Sequence, residues 1–230
     1  MAKRFLTAWR AVLVAGVLAP LVAHANPSGG VVTAGSATIA ASNPAAVVVT
    51  QRSNRAIINW SDFSIGAGEL TKFIQPSAAS AILNRVVGSD PSRLLGSLQS
   101  NGQVYLINPN GIVVGQGARI NAGGFTASTL DASDAQFLAG KDLVLSGQSV
   151  AAIANLGSID ASQGNVYLVA QQVTNAGSIG AANGTVGLAA GTEVTLTENG
   201  TEHVLVGAPV TSAGGGGAAV PGFRDGVANI

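Results

Sequence analysis

The apolar residues of this chain occur in short runs that are rich in β-branched side chains and end at glycine, asparagine, proline or serine. Such runs and boundaries are typical of strands joined by tight turns. Helical periodicity is scarce: Asp90 before Pro91 predicts a short capped helix over 90–97, and residues 131–138 predict one or two further helical turns. The strands that the pattern predicts most clearly lie at 47–50, 56–60, 104–107, 112–114 and 166–169.

Two different motifs recur with one common spacing. The segment NLGSI that starts at Asn155 returns as NAGSI at Asn175, and GNVYL at Gly164 returns as GTVGL at Gly184. A weaker copy, GQVYL, starts at Gly102, which is close to three repeat lengths before Gly164. About 20 residues is the length of one coil of a parallel β-helix, in which short strands stack on their counterparts in the next coil. The sequence therefore predicts an all-β solenoid, a parallel β-helix with about 20 residues per coil.

The ends of such a rod expose unpaired strand edges, which must be capped. We assign residues 26 to about 50 as an N-terminal β cap and the β-helix itself as extending to 210. The length of chain after position 25 predicts about ten coils and a rod of roughly 50 Å. No C-terminal cap is evident. Residues 211–230 combine a glycine-rich insert with the predicted start of a further coil at 227–230. The chain is therefore expected to be either the leading part of a longer repeat protein or the product of a truncated reading frame.

Residues 1–25 have the features of a secretory signal peptide. Lys3, Arg4 and Arg10 are positive, residues 11–22 are apolar, and small residues precede a cleavage point after Ala25. Recognition by the Sec machinery follows from that prediction. Cleavage would leave 8 basic against 11 acidic residues, a net charge of −3. A surface without a basic excess is unsuited to phosphate backbones, so no nucleic acid partner is predicted.

Composition changes the picture in two further respects. The chain has 31 glycines among 230 residues, which fits many turns, and no cysteine, which excludes disulfides and thiolate metal sites. Its 11 basic and 11 acidic residues, with 47% hydrophobic residues, indicate a folded chain and not a disordered tail. No cofactor or metal site is predicted.

The segment 108–112 reads Asn-Pro-Asn-Gly-Ile and fits a type I turn at each position. On that ground alone it is a turn between the strands at 104–107 and 112–114. Pro109 and Gly111 would then set backbone angles, while the amides of Asn108 and Asn110 would bond to the nearby main chain. This structural role and a role in recognition are compatible.

Several segments, taken with this turn, carry a resemblance to a known family: IINW at 57–60, FSIG at 63–66, LNRV at 83–86, GARINAGG at 117–124 and TAST at 126–129. Over about residues 30–191 the chain resembles the N-terminal secretion domain of two-partner secretion exoproteins, the filamentous haemagglutinin family, whose secretion domain is also called the haemagglutination activity domain. The resemblance implies a right-handed parallel β-helix that is not an enzyme.

The resemblance also implies a partner, a location and a set of site residues. The partner would be an outer-membrane β-barrel transporter whose periplasmic POTRA domains recognise the domain and export the adhesin behind it. The chain would be secreted, or held at the surface of a Gram-negative bacterium, after passing through the periplasm, and a host-cell surface is a further candidate partner. The residues that match the secretion motif are Asn108, Pro109, Asn110, Gly111 and Ile112, with supporting positions at Asn84, Arg85, Arg119 and Asn121.

Two other classes of function stay open at this point. Many parallel β-helices cleave polysaccharides with carboxylates gathered on one face, and the carboxylates here are Asp131, Asp134, Asp142 and Asp160, without adjacent pairs. His203 is the only histidine after the predicted signal peptide, which leaves little material for a catalytic triad or a zinc site. The third class is direct adhesion of the rod to a glycan or cell surface.

Overall fold

The computed structural model describes residues 26–197, 204–209 and 227–229; the predicted signal peptide and most of residues 211–230 lie outside these ranges. The described part is built from strands, and its one helix is α1 (Asp134–Ala139). No helix in these ranges combines the length and the apolar character needed to cross a membrane. The strands are β1 (Val31–Ala34), β2 (Ala37–Asn43), β3 (Ala46–Gln51), β4 (Arg55–Trp60), β5 (Leu70–Ile74), β6 (Ala81–Val86), β7 (Ser92–Leu94), β8 (Ser97–Ser100), β9 (Gln103–Ile107), β10 (Ile112–Val114), β11 (Arg119–Ala122), β12 (Gly124–Ser128), β13 (Asp131–Ala132), β14 (Leu143–Ser146), β15 (Ala152–Asn155), β16 (Ser158–Ala161), β17 (Val166–Ala170), β18 (Gln172–Asn175), β19 (Ser178–Ala181), β20 (Val186–Leu196), β21 (Val204–Pro209) and β22 (Val227–Asn229).

Three sheets form the faces of the rod, and each receives one strand from successive coils. The first sheet has the order β1-β4-β6-β9-β12-β17-β20, the second β2-β3-β5-β8-β11-β16-β19, and the third β7-β10-β15-β18. Successive coils pair in parallel, and the sequence repeat sets the register: Ile153 pairs with Val173, Ile159 with Ile179 and Val166 with Val186. The predicted parallel β-helix is confirmed.

The coils are fewer than the sequence predicted. The solenoid has about 7 turns of ~22 residues, not ten, because part of the chain forms structures beside the stack. From Gly102 to Gly164 the chain advances by only two coils. Paired residues of β9 and β12 are 21 positions apart in the sequence, and those of β12 and β17 are 41 positions apart. The second step is twice as long because residues 131–148 leave the rod and form β13, α1 and β14 before the chain returns. We call this segment the excursion.

Both ends of the stack carry antiparallel strands. At the N-terminal end β1 pairs antiparallel with β4, and β2 pairs antiparallel with β3. Strand β3 therefore joins the two parts, because it pairs antiparallel with β2 of the predicted cap and in parallel with β5 of the stack. At the other end β20 pairs antiparallel with β14, β21 and β22. Strand β22 covers residues 227–229 of the segment predicted to start a further coil, and that further coil stays a prediction.

The two helix predictions have different outcomes. The predicted helix over 90–97 is wrong: this segment forms β7 and β8, which pair in parallel with β10 and β11. Stacking against neighbouring coils satisfies these backbone groups and places Leu94 and Leu98 in the core, which outweighs the local Asp-Pro signal. The predicted turns at 131–138 are confirmed as α1, with a left-handed Gly140 as its C-cap.

The apolar residues form two separate cores. One fills the rod, with Trp60, Phe63, Phe73 and Phe125 almost completely buried. The other lies outside the rod, where the outward side chains of the first sheet pack under the excursion and β20–β21 around Phe137. One face of the solenoid is therefore covered by its own chain.

Candidate functional site

The Asn-Pro-Asn-Gly-Ile segment forms the predicted turn between β9 and β10. The amide of Gly111 donates to the carbonyl oxygen of Asn108 at 3.1 Å, and Gly111 has φ of 108°. The amide of Asn108 donates to the carbonyl oxygen of Ser128 in the next coil at 2.9 Å. The turn is thus tied into the stack at its first residue.

The side chain of Asn108 lies inside the protein and is fully bonded. Its Nδ2 donates to the carbonyl oxygen of Asp90 and to Oγ of Ser92, both at 3.0 Å. Its Oδ1 accepts from the backbone N of Asn110 at 2.9 Å and from that residue's Nδ2 at 3.1 Å. With 0% exposure, Asn108 has no surface that another protein could contact in the folded state.

The remaining motif residues connect the turn to the coils on either side. Asn110 is half-buried, and its Nδ2 donates to the carbonyl oxygen of Gly88 at 2.9 Å. Pro109 is exposed, and its carbonyl oxygen accepts from Oγ of Ser149 at 2.6 Å. Ile112 is buried in the inner core. The motif therefore joins three successive coils and exposes mainly Pro109.

The adjacent supporting residues Asn84 and Arg85 face opposite sides of the first sheet. Asn84 is completely buried, accepts from Nε1 of Trp60 at 3.0 Å, and donates to the carbonyl oxygen of Tyr105 at 3.2 Å. It occupies an inward position that pairs in register with Ile58 and Leu106. Its amide gives the buried indole N–H an acceptor, which a buried donor requires.

Arg85 points outward and holds the excursion against the rod. Its Nε donates to Oδ1 of Asp131, and its NH2 donates to the carbonyl oxygen of Ala132 and to Oδ1 of Asp134, all at 2.8 Å. Burial by itself would lower the pKa of Arg85, but the hydrogen bonds and charges of the two carboxylates outweigh it and raise that pKa.

The other two supporting residues lie on a different face. Arg119 and Asn121 are exposed positions of β11 in the second sheet, where Asn121 pairs in register with Gln99 and Asp160. The structure thus brings residues 108–112 together as one unit, but Asn84, Arg85, Arg119 and Asn121 do not form one site with it.

Comparison with known proteins decides which family this architecture represents. The profile of the TPS secretion domain, the secretion domain of two-partner secretion exoproteins, matches residues 23–219. The chain belongs to this family.

Solved structures agree with this assignment of a TPS secretion domain. The crystal structure of the HMW1 secretion domain from Haemophilus influenzae is similar with a TM-score of 0.66 and 36% identity, over 78% of this chain and 47% of that one. The crystal structure of the filamentous hemagglutinin secretion domain has a TM-score of 0.57 and 20% identity, over 81% of this chain and 72% of that one. The second similarity concerns the fold alone.

Two curated relatives share a shorter segment with this TPS secretion domain. Both are heme/hemopexin-binding proteins of Haemophilus influenzae: one is 41% identical over 97 residues, and the other, from strain Rd, is 39% identical over 105 residues. The alignments span 42% and 46% of this chain but only 10% and 12% of the relatives. The chain therefore corresponds to a small part of those proteins.

Membership in the TPS secretion-domain family supports general statements about function. The family consists of secretion domains of adhesin-like exoproteins and is not an enzyme family, and a TPS domain implies a cognate outer-membrane transporter. TPS exoproteins are secreted or surface-exposed in Gram-negative bacteria.

The carboxylates considered for catalysis do not all gather at one place in this TPS secretion domain. Asp131 and Asp134, on the excursion, lie close together because both bind Arg85, and each is engaged in that ion pair. Asp160 lies on the second sheet and accepts from Oγ of Ser158 at 2.8 Å. Within the described ranges, no group of three or more His, Cys, Asp or Glu side chains is placed to hold a metal ion.

Sequence reasoning missed the groups that bond to the matched residues. Ser92, Gly88 and Ser149 bind the turn, and Asp131 and Asp134 bind Arg85. No sequence signal pairs Arg85 with a residue 46 positions away, because the contact arises only when the excursion folds back.

We predict that Arg85→Met loosens the excursion while leaving the stack folded. The variant keeps an apolar stem but loses three charge-assisted or carbonyl bonds, and because the two aspartates are half exposed we expect a loss of only about 1–2 kcal/mol in the free energy of unfolding. Amide hydrogen exchange in residues 131–139 should accelerate at least tenfold. The matched control is Arg119→Met on the exposed second sheet, and equal exchange in both variants would contradict the assigned role of Arg85.

Proposed function

We propose that this chain is the secretion signal of a two-partner secretion exoprotein, recognised by the POTRA domains of a cognate outer-membrane β-barrel transporter. The observation that carries the proposal is the match of the TPS secretion domain over residues 23–219, supported by the similarity to the HMW1 secretion domain over 78% of the chain. A signal peptide at residues 1–25, cleaved after Ala25, would first bring the chain through the Sec machinery.

The burial of the motif favours recognition before folding. Asn108 has 0% exposure, and its four side-chain bonds all go to residues within the fold. In an unfolded chain the same asparagine and its neighbours are accessible, and an extended segment can add a strand to a receiving domain through main-chain bonds. Folding would then withdraw the motif from the POTRA domains.

Export coupled to folding follows from the order of the coils. Each coil pairs with the coil before it, so stacking can proceed outward from the N-terminal cap as the chain emerges. The next coil pairs with each strand edge as it emerges, and export driven by this stacking would need no nucleotide. The domain would reach the cell surface or the medium, where a host-cell surface is accessible to it. We propose no catalytic activity.

The test compares binding of folded and unfolded chain to the same receptor. POTRA domains of a cognate transporter are immobilised, and interferometry measures the binding of chain freshly diluted from urea and of chain folded beforehand. We expect the freshly diluted chain to bind at least tenfold more tightly. An unrelated unfolded protein of similar length serves as the control for non-specific capture.

Two results would refute the proposal in different ways. If neither form binds the POTRA domains, transporter recognition fails altogether. If the folded chain binds as tightly as the freshly diluted chain, recognition does not require the accessible motif, and the exposed Pro109 and the surface around it become the site to test.

A further inference from the structure

Asparagine is followed directly by glycine at three places within the described ranges: Asn101-Gly102, Asn110-Gly111 and Asn183-Gly184. A fourth such pair, at 199–200, lies outside those ranges. Asparagine is one of the chemically labile residues of proteins, and a following glycine makes it more so, because glycine has no Cβ to keep its backbone nitrogen away from the asparagine side chain. Each pair is therefore a candidate for deamidation, and the fold determines which of them can react.

Deamidation at an Asn-Gly pair is an intramolecular reaction that needs only water. The backbone nitrogen of the glycine loses its proton to water and bonds to Cγ of the asparagine, and the side-chain nitrogen takes up a proton and leaves as ammonia. Water then opens the five-membered succinimide at either carbonyl, which gives aspartate or isoaspartate. The reaction thus requires a glycine amide that water can reach and an asparagine side chain that can turn toward it.

The first pair is protected by burial and by two side-chain bonds. Gly102 is buried, and its amide donates to Oγ of Ser100 at 3.1 Å. Asn101 itself is exposed, but the main chain of Gln75 holds its side chain at both ends: Oδ1 accepts from the amide at 2.8 Å, and Nδ2 donates to the carbonyl oxygen at 2.7 Å. Cyclisation here would require both of these bonds to break and a buried glycine amide to open.

The second pair lies in the motif turn and is protected in the same way. Gly111 is buried, and its amide donates to the carbonyl oxygen of Asn108 at 3.1 Å. Asn110 is half-buried, and its Nδ2 donates to the carbonyl oxygen of Gly88 at 2.9 Å and to Oδ1 of Asn108 at 3.1 Å. The folded state therefore shields Asn110 of the secretion motif from deamidation.

The third pair is accessible. Asn183 and Gly184 are both exposed and lie in the turn between β19 and β20, at the end of the parallel stack. The side chain of Asn183 makes one hydrogen bond within the described ranges, from Nδ2 to the carbonyl oxygen of Ser162 at 3.1 Å. The amide of Gly184 donates to the carbonyl oxygen of Ala181 at 3.2 Å, a bond similar to that of Gly111 in the motif turn. Solvent exposure and a more weakly held side chain thus distinguish this pair from the other two.

The preceding coil offers a natural comparison for this turn. One coil earlier the same place is occupied by Gln163-Gly164, because β17 and β20 pair at an offset of 20. Gln163 is exposed as well. A glutamine would have to close a six-membered ring, which forms far more slowly than the five-membered succinimide. The turn therefore accommodates a side chain that resists deamidation.

We propose that Asn183 is the asparagine of the described Asn-Gly pairs at which the folded protein deamidates, and that isoaspartate at this position loosens the last parallel coil. Asn183 combines an exposed following glycine with a side chain held by a single bond, and neither of the other two pairs does. The proposal is independent of transporter recognition, because residues 108–112 take no part in the reaction.

The main chain around this turn has no room for the extra carbon that isoaspartate adds to it. Even a Cβ added to Gly184 would collide with the carbonyl oxygen of Gly164. The following residue, Thr185, is bonded to the preceding coil in both directions: its carbonyl oxygen accepts from the amide of Val166 at 2.9 Å, and its amide donates to the side-chain oxygen of Asn165 at 2.8 Å. A displaced turn would break these bonds, so the amide of Val166 should exchange faster with solvent.

Peptide mapping by mass spectrometry of the folded chain, incubated in mildly alkaline buffer, tests the choice of site. The peptide that contains residues 199–200 is quantified separately. We expect Asn183 to react about tenfold faster or more than Asn101 and Asn110. In urea we expect the three rates to agree within about threefold, because the protection is lost. Equal rates at the three sites in the folded chain, or slow reaction of Asn101 and Asn110 in urea, would overturn the proposal.

Asn183→Gln separates the modification from folding. The variant carries in this turn the residue that the preceding coil has, so we expect an unchanged urea midpoint and no deamidation at this position. After the same incubation, the Val166 amide should exchange about threefold faster or more in the wild type and at its original rate in the variant. If exchange changes in both proteins or in neither, isoaspartate does not loosen the coil, and that part of the proposal is refuted.

Discussion

Replacing Asn108 by alanine should lower the free energy of unfolding by about 3 kcal/mol and strongly reduce the amount of secreted protein. The substitution leaves the fully buried hydroxyl of Ser92 without its partner, and it removes the bonds to the carbonyl of Asp90 and the amide of Asn110, which are only partly buried. Each unsatisfied buried group costs about 1–3 kcal/mol. Urea unfolding followed by circular dichroism measures the loss.

The matched control for this prediction is Ser149→Ala. It removes one hydrogen bond to the exposed end of the same turn, at the carbonyl of Pro109, and should change the stability by less than about 0.5 kcal/mol. Binding of unfolded Asn108→Ala chain to the POTRA domains then separates folding from recognition. If the POTRA domains recognise the motif before folding, we expect the unfolded Asn108→Ala chain to bind them more weakly than the unfolded wild-type chain. A variant as stable as the wild type would show that the buried network around Asn108 contributes nothing.

Replacing Gly96 by alanine should cost about 3 kcal/mol for a different reason, which is overpacking. Gly96 forms the corner between β7 and β8, and an added Cβ would collide with the carbonyl oxygens of Gly66 and Glu69 in the preceding coil. Both oxygens belong to the backbone and are held by hydrogen bonds: that of Gly66 accepts from the amide of Glu69, and that of Glu69 accepts from the amide of Ser97, both at 2.9 Å. Overpacking of a rigid site typically costs about 1–3 kcal/mol.

Gly147→Ala is the control for the corner. Its added Cβ would meet no atom closer than 3.7 Å, so only the ordinary difference in backbone entropy remains, and we expect a change within about 1 kcal/mol. Urea midpoints of the two variants, measured side by side, check the prediction. Equal midpoints would mean that the corner can open and that the coils are not packed through backbone contact at Gly96.

The fold itself could be predicted because its signal is repeated. Ile159 and Ile179 occupy the same place in two coils, and a shift of one residue would turn every inward side chain outward, so the repeat determines the register as well as the architecture. The turn at 108–112 was equally predictable, because its proline and glycine set local backbone angles.

The segments for which the sequence-based prediction was wrong lack this repetition. Residues 90–97 carry a local helix signal, but their backbone groups pair with strands of the neighbouring coils, and that pairing prevails. The excursion interrupts the repeat, so the spacing between Gly102 and Gly164 suggests three coils where the structure has two.

The sequence by itself determined the parallel stack, the repeat length of the later coils and the turn that carries the family motif, because these depend on residues close together or repeated along the chain. Only the tertiary structure decided that Asn108 and Asn84 are internal and that Arg85 holds the excursion. Those features depend on contacts between distant residues, such as Asn108 with Ser92, 16 positions apart, and Arg85 with Asp131, 46 positions apart. Such contacts are set by how the coils and the excursion pack in three dimensions.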